Sequence, residues 1–255
     1  PLCDLFLHNL HGLWGIESMP VYAGVILTVV GVVLVVNAVN MIDGIDGLAS
    51  IFSIICFLCF GFCFWDAGNM IYCYISAAMI GALAVFLYYN MFGSVEKKTK
   101  IYMGDSGSML LGFSLAYLSI KYIVAEDEAS VDVSARILLC ISLLFVPCVD
   151  LCRVVLERIA HGEHPFMPDK RHIHHRLMSA GIFGNFTLAG VLALSLLFMV
   201  MNALLYSLGC SLSLVVSADI VLYIILMILL SRKVRSFERT QLMSETVRER
   251  FAENA

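Results

Sequence analysis

Charge is what this sequence has least of: Lys, Arg, Asp and Glu supply only 14% of its 255 residues, against about a quarter in soluble domains. Hydrophobic residues make up 60% and the mean hydropathy is +0.90, more apolar surface than a soluble core of this length could bury. The net charge of −4 is small, and nothing points to nucleic acid. Also missing are internal repeats, low-complexity segments and any strand-like alternation of polar and apolar residues. A basic segment leading into an apolar run and cleavage site is absent too, and the chain opens on Pro1, so its natural start is expected to lie upstream. Nine cysteines are present, but eight of them (Cys56, Cys59, Cys63, Cys73, Cys140, Cys148, Cys152, Cys210) fall inside or directly beside apolar runs. Such cysteines act as small hydrophobes rather than as a disulfide framework.

A helix needs about 20 apolar residues to cross the ~30 Å hydrocarbon core. Seven runs qualify, at about 21–42, 48–64, 70–92, 108–124, 135–156, 186–208 and 212–230. The expected fold class is therefore all-α, a polytopic bundle of seven membrane helices occupying 1–230, followed by a cytoplasmic tail at 231–255. Seven crossings put the two termini on opposite faces, and a cytosolic tail brings the connections near 40–47, 93–107 and 157–185 to the cytoplasmic side. The basic residues agree. Lys97, Lys98, Lys100, Arg153, Arg158, Lys170, Arg171 and Arg176 lie in or beside those connections, and Arg232, Lys233, Arg235, Arg239, Arg248 and Arg250 lie in the tail. Only Lys121 and Arg136 fall towards the other side, which is the positive-inside distribution.

The three connections carry the polar chemistry. The first reads Asn37-Ala-Val-Asn40-Met-Ile-Asp43-Gly44-Ile-Asp46-Gly47. Each Asn pair and Asp pair, spaced i to i+3, would share a helix face if the helix runs through them. Acids this close to hydrocarbon suit a cavity, an ion or a partner, while a polar turn capping the next helix is the plainer alternative. The second has Asn90, the basic stretch 96–100, and Tyr102-Met-Gly104-Asp105-Ser-Gly107-Ser108. Asp105 suits either a magnesium ligand or an ordinary N-cap. The third follows Pro147, Asp150 and Arg153 and contains five of the seven histidines, with Pro165-Phe-Met-Pro168-Asp169-Lys170-Arg171-His172-Ile-His174-His175-Arg176. It holds no cysteine and its His spacing does not match a structural zinc pattern. Imidazoles beside guanidiniums suit a diphosphate, and Asp150 can pair with Arg153 one turn away.

Taken together, Asn37-x-x-Asn40-x-x-Asp43-Gly-x-Asp46-Gly, Met103-Gly-Asp105-Ser-Gly-Ser and Pro165-Phe-x-Pro-Asp169-Lys-Arg171-His172-Ile-His174-His175 resemble the polyprenyl-phosphate N-acetylhexosamine-1-phosphate transferases of glycosyltransferase family 4, nearer the WecA/TagO branch than the MraY branch. The resemblance implies transfer of a sugar 1-phosphate from a UDP-sugar to undecaprenyl phosphate, with release of UMP, at the start of cell-wall or surface polysaccharide synthesis. It implies Mg2+, with Mn2+ as a substitute, held by Asp105. Asp43 and Asp46 match catalytic or nucleotide-site acids, and His172, His174 and His175 match the diphosphate-associated histidines. Asn90 and Tyr102 match nucleoside-contacting positions, and Asn37, Asn40 and Arg171 join them as substrate-binding candidates. The expected setting is a bacterial cytoplasmic membrane with the motif loops inside. The expected partners are the UDP-sugar, the polyprenyl lipid, the bilayer and a second copy of the chain.

One departure stands out. The family's aspartate-rich motif, two adjacent Asp followed by another, has no match here, and a single apolar run precedes Asn37. The sequence is therefore expected to be the C-terminal portion of the family fold and to be inactive alone. The competing readings are a metal or solute transporter and an inactive shortened relative.

Overall fold

In the computed structural model, which describes residues 5–125, 131–165 and 171–253 with side chains through Phe237 and at Arg239, the chain is a bundle of helices. Among the described residues a short antiparallel hairpin comes first, β1 (Asn9–Leu13) and β2 (Ile16–Ser18), an addition to the all-α expectation. The helices are α1 (Val21–Ile42), α2 (Leu48–Asp66), α3 (Met70–Phe92), α4 (Gly104–Val124), α5 (Val133–Ala160), α6 (Ile173–Ser179), α7 (Asn185–Ser207) and α8 (Leu212–Glu253). All but α6 contain a stretch long and apolar enough to cross a membrane. The protein is thus a polytopic helical membrane protein. The eight described cysteines are free.

Three features of these helices bear on the motifs and on the tail. Helix α4 begins at Gly104 rather than near 108, because Met103 is the N-cap and Asp105 lies inside the first turn. Helix α1 stops at Ile42, so Asp43 and Asp46 sit in the turn to α2 instead of on one helix face. Helix α8 runs unbroken past residue 231 to Glu253, so the anticipated tail begins as a continuation of the last span. At 42 residues it is about 63 Å long, roughly twice the hydrocarbon thickness.

In hydrocarbon, apolar contact with lipid and with protein is nearly equivalent, so close packing and polar ties hold the helices together. Phe52, Phe57, Phe60 and Phe64 on α2 fill the core with Leu111, Leu115 and Leu118 on α4, and the rings of Phe145 on α5 and Phe198 on α7 meet at 4.9 Å. Inside the spans, nearer the hairpin end, the Asn202 amide of α7 donates to Asp219 Oδ2 of α8 at 2.7 Å and to Ser142 Oγ of α5 at 2.9 Å. At the end near the hairpin, buried Arg136 donates to the Ala125 carbonyl at 2.8 Å, closing the C-terminus of α4. The opposite end gathers the turn after α1, the loop before α4 and helix α6.

Candidate active site

The turn after α1 depends on glycine. Gly47 adopts φ +81° as the N-cap of α2, a left-handed conformation costly for other residues, and its N–H donates to Asn90 Oδ1 at 2.7 Å. The Asn90 amide then donates to the Ile101 carbonyl at 2.9 Å and more weakly to Asp46 Oδ1 at 3.4 Å. Buried Asn90 therefore ties α3, the first motif and the second motif together. Expected as a nucleoside contact, it spends its hydrogen bonds inside the protein. Lys100 pairs with Asp46 at 2.5 Å. Asn40 Oδ1 accepts from Ser108 Oγ at 2.5 Å, fixing the first turn of α4 against the end of α1.

These ties bring three carboxylates, Asp43, Asp46 and Asp105, within electrostatic reach of one another. Burial, then the charges of Asp46 and Asp105, push the Asp43 carboxyl up to about 6. Among the described residues, no Lys or Arg forms an ion pair with Asp43 or Asp105. Hard anionic oxygens without a cation fit a divalent ion. No three acidic, His or Cys side chains are gathered as a ready-made cage among the described residues, and magnesium commonly takes one or two carboxylates and completes its shell with water and substrate phosphates.

The histidine helix is held by a residue that sequence reasoning treated only as half of an ion pair. Buried Asp150 accepts from Arg153 Nη2 at 2.7 Å, as expected, but also from His172 Nδ1 at 3.0 Å, the Ile173 N–H at 3.0 Å and the Tyr223 hydroxyl at 2.8 Å. The last three partners lie 22, 23 and 73 residues away in sequence, where no local pattern could announce them. Arg153 reaches on to the Arg171 carbonyl at 2.7 Å. Fixing Nδ1 of His172 leaves its buried Nε2 without a protein partner, and both ring nitrogens of buried His174 are likewise unpartnered. The imidazole of His174 lies against Gly44: a Cβ there would come within 2.6 Å of His174 Nε2. The third motif is thereby brought onto the first.

Burial, then His175 and His172, push His174 down to about 4. It is neutral at neutral pH, so it offers one donor and one acceptor. His175 follows on the same short helix, its ring 4.2 Å from that of His174.

Not every candidate joins this cluster. Asn37 donates to the Val33 carbonyl of its own helix at 2.7 Å. Tyr102 is exposed, with Lys100 5.7 Å from its ring. Arg171 pairs with Glu163 at 2.7 Å. Residues 166–170 of the third motif lie outside the described residues.

Residues 2–123 match the model of glycosyl transferase family 4, a stretch that holds the first two motifs but not the histidines. An undecaprenyl-phosphate alpha-N-acetylglucosaminyl 1-phosphate transferase of Salmonella typhi is 32% identical over 121 residues, 48% of this chain and 31% of that protein. A decaprenyl-phosphate N-acetylglucosaminephosphotransferase of Mycobacterium leprae is 39% identical over 113 residues, 42% of this chain and 27% of its own. The Escherichia coli K12 counterpart of the first is 32% identical over 111 residues, covering 44% and 28%. The match thus spans less than a third of these relatives' length. With both carboxylate motifs inside the matched stretch, residues 2–123 of this chain are similar to glycosyl transferase family 4.

Proposed function

We propose that this chain supplies the nucleotide-sugar side of the reaction centre of a transferase that moves N-acetylglucosamine 1-phosphate, or a similar sugar phosphate, from a UDP-sugar to a polyprenyl phosphate. The observation that carries this reading is the convergence of Asp43, Asp46 and Asp105 with the unpartnered His172 and His174 nitrogens at one end of the bundle. The basic side chains support a cytoplasmic position for that end, since Lys100, Arg153, Arg158 and Arg176 lie there and Lys121 and Arg136 at the other.

In the transfer, an oxygen of the acceptor phosphate bonds to the β-phosphorus of the UDP-sugar, the bond from that phosphorus to the bridging oxygen breaks, and UMP departs with the electron pair. The nucleophile is already anionic, so in-line placement and charge neutralisation dominate. Asp105 would hold Mg2+, or Mn2+ in its place, which when bound supplies positive charge to the diphosphate oxygens. Asp43, titrating at about 6, matches the second ionisation of a phosphate monoester, also about 6, and can take the acceptor's last proton. His174, neutral and held against Gly44, can donate one ring N–H to a diphosphate oxygen without competing for that proton. Lys100 and Asn90 keep Asp46 in register.

Titration calorimetry of the purified chain with UDP-N-acetylglucosamine tests the reading. Binding should require magnesium and should be lost in Asp105→Asn, which keeps the size of the side chain but removes its charge. Binding by Asp105→Asn at low magnesium as tight as wild type would overturn the metal assignment. Turnover is expected only when residues 1–255 are fused to the N-terminal segment of the Escherichia coli relative, because the aspartate-rich motif is absent from the sequence. Acceptor-dependent UMP release by the unfused chain would refute that requirement. A transporter reading draws on the buried Asp219–Asn202 pair inside the spans, and metal-ion flux in vesicles with no UMP release by the fusion would favour it.

A further inference from the structure

On the side of the bundle where α5 faces α8 lies a cavity of about 560 Å3. Its walls are apolar along the membrane, with Leu156, Ile224 and Ile228 each about half exposed or more, so it opens sideways to lipid. Through Val149, Cys152 and Ile220 it abuts a second, apolar cavity of about 480 Å3. Apolar space of this kind stays dry, so in a bilayer it takes a hydrocarbon chain.

The motif end of the cavity is polar and cationic. Arg153, Arg176 and Arg235 line it with one carboxylate, Glu157. Arg153 and Arg176 both bind Glu157, and Asp150 holds Arg153 from behind. Among the described residues, three guanidiniums thus face two carboxylates, and the surplus charge rests on exposed Arg235, whose Nε donates to the Ser231 carbonyl at 3.3 Å. Ser231 Oγ accepts from Arg176 Nη1 at 2.7 Å, placing a second guanidinium beside the same spot.

This cavity is not part of the carboxylate cluster. His174 and Arg176 are two residues apart on α6, so their side chains leave it about 200° apart. His174 lies on Gly44, and Arg176 lies on Ser231 of α8. Among the described residues, direct polar contact between α5 and α8 near the cavity centres on Tyr223, whose hydroxyl donates to Asp150, leaving the gap below it for a lipid to fill.

We propose that this cavity binds one anionic glycerophospholipid, with its phosphate on Arg235 and Arg176 and one acyl chain between α5 and α8. Charge complementarity selects the anionic headgroup, as in other basic pockets between membrane helices. The bound chain completes the packing of α8 against α5.

Delipidated protein is titrated with dioleoylphosphatidylglycerol and with dioleoylphosphatidylcholine, and one-to-one complexes are counted by native mass spectrometry alongside thermal unfolding. The expected result is preferential binding of one phosphatidylglycerol, with a raised unfolding temperature. Arg235→Gln should weaken phosphatidylglycerol about fivefold and leave phosphatidylcholine unchanged, whereas Arg235→Lys keeps the preference. Ile228→Trp, which fills the wall, should weaken both lipids. Equal affinity for the two lipids in the wild type, or an undiminished preference in Arg235→Gln, overturns the proposal. One-for-one displacement of phosphatidylglycerol by undecaprenyl phosphate that depends on Arg235 also overturns it, since the cavity would then belong to the acceptor.

Discussion

His174 Nε2 lies 2.6 Å from where a side chain on Gly44 would begin. The glycine of the Asp43-Gly44 motif is therefore the space into which the histidine helix closes. Gly44→Ala should push His174 away from the carboxylates while leaving the spans intact. A shift of about 1 Å at a reacting centre can cost roughly 10²-fold in rate, so UMP release by the fusion protein should fall by about that factor. Wild-type turnover in Gly44→Ala would show that this contact is not used.

Asp43 offers a pH signature. Its carboxyl is raised from 3.8 to about 6 in the folded protein, so the folded state binds the proton more tightly than the unfolded chain. Ionised Asp43 therefore opposes folding fully above pH 6, and this opposition fades as pH falls towards 3.8. Asp43→Asn should unfold at a higher temperature than wild type at pH 7.5, by a margin that shrinks through pH 6 and vanishes near pH 4. Thermal unfolding in detergent across that range checks the sign, and a margin that grows on acidification contradicts it.

His174 runs the other way. Its value is lowered from 6.5 to about 4, so the unfolded chain takes up the proton first, and the neutral ring's contribution to stability is lost as pH falls from 6.5 towards 4. With selectively labelled histidine, the His174 ring resonance should show no titration between pH 8 and 5. A midpoint between 6 and 7 would mean that the ring is solvated or paired, and that the neutral-donor role assigned to it is wrong.

Asp150→Asn should loosen the histidine helix. Breaking a buried ion pair by removing one partner costs roughly 3–5 kcal/mol, and the replacement amide cannot accept from all of Arg153, His172, Ile173 and Tyr223. Tyr223→Phe removes one hydrogen bond and should cost only about 1 kcal/mol. Chemical unfolding ranks the two. Equal small losses would show that Asp150 is hydrated instead of buried among those partners.

The sequence by itself determined the architecture, because crossing hydrocarbon imposes a length and composition that any helix must meet within its own residues. The runs at 21–42 and 70–92 became α1 and α3 with the same ends, and each carboxylate motif was visible where a run stopped. What the chain does at those stops was decided by tertiary structure. Asp105 as an N-cap or a free first-turn acid, and Asn90 as a ligand contact or an internal tie, are equivalent choices until Ser108 meets Asn40 and Gly47 meets Asn90 across 68 and 43 residues. The Asp150 hub, the neutrality of His174 and the seat of His174 on Gly44 depend on burial and on approaches between separate helices. A local pattern fixes which residues can sit at a membrane boundary, but proton affinities and pairings there follow from what the other helices bring to the same few ångströms.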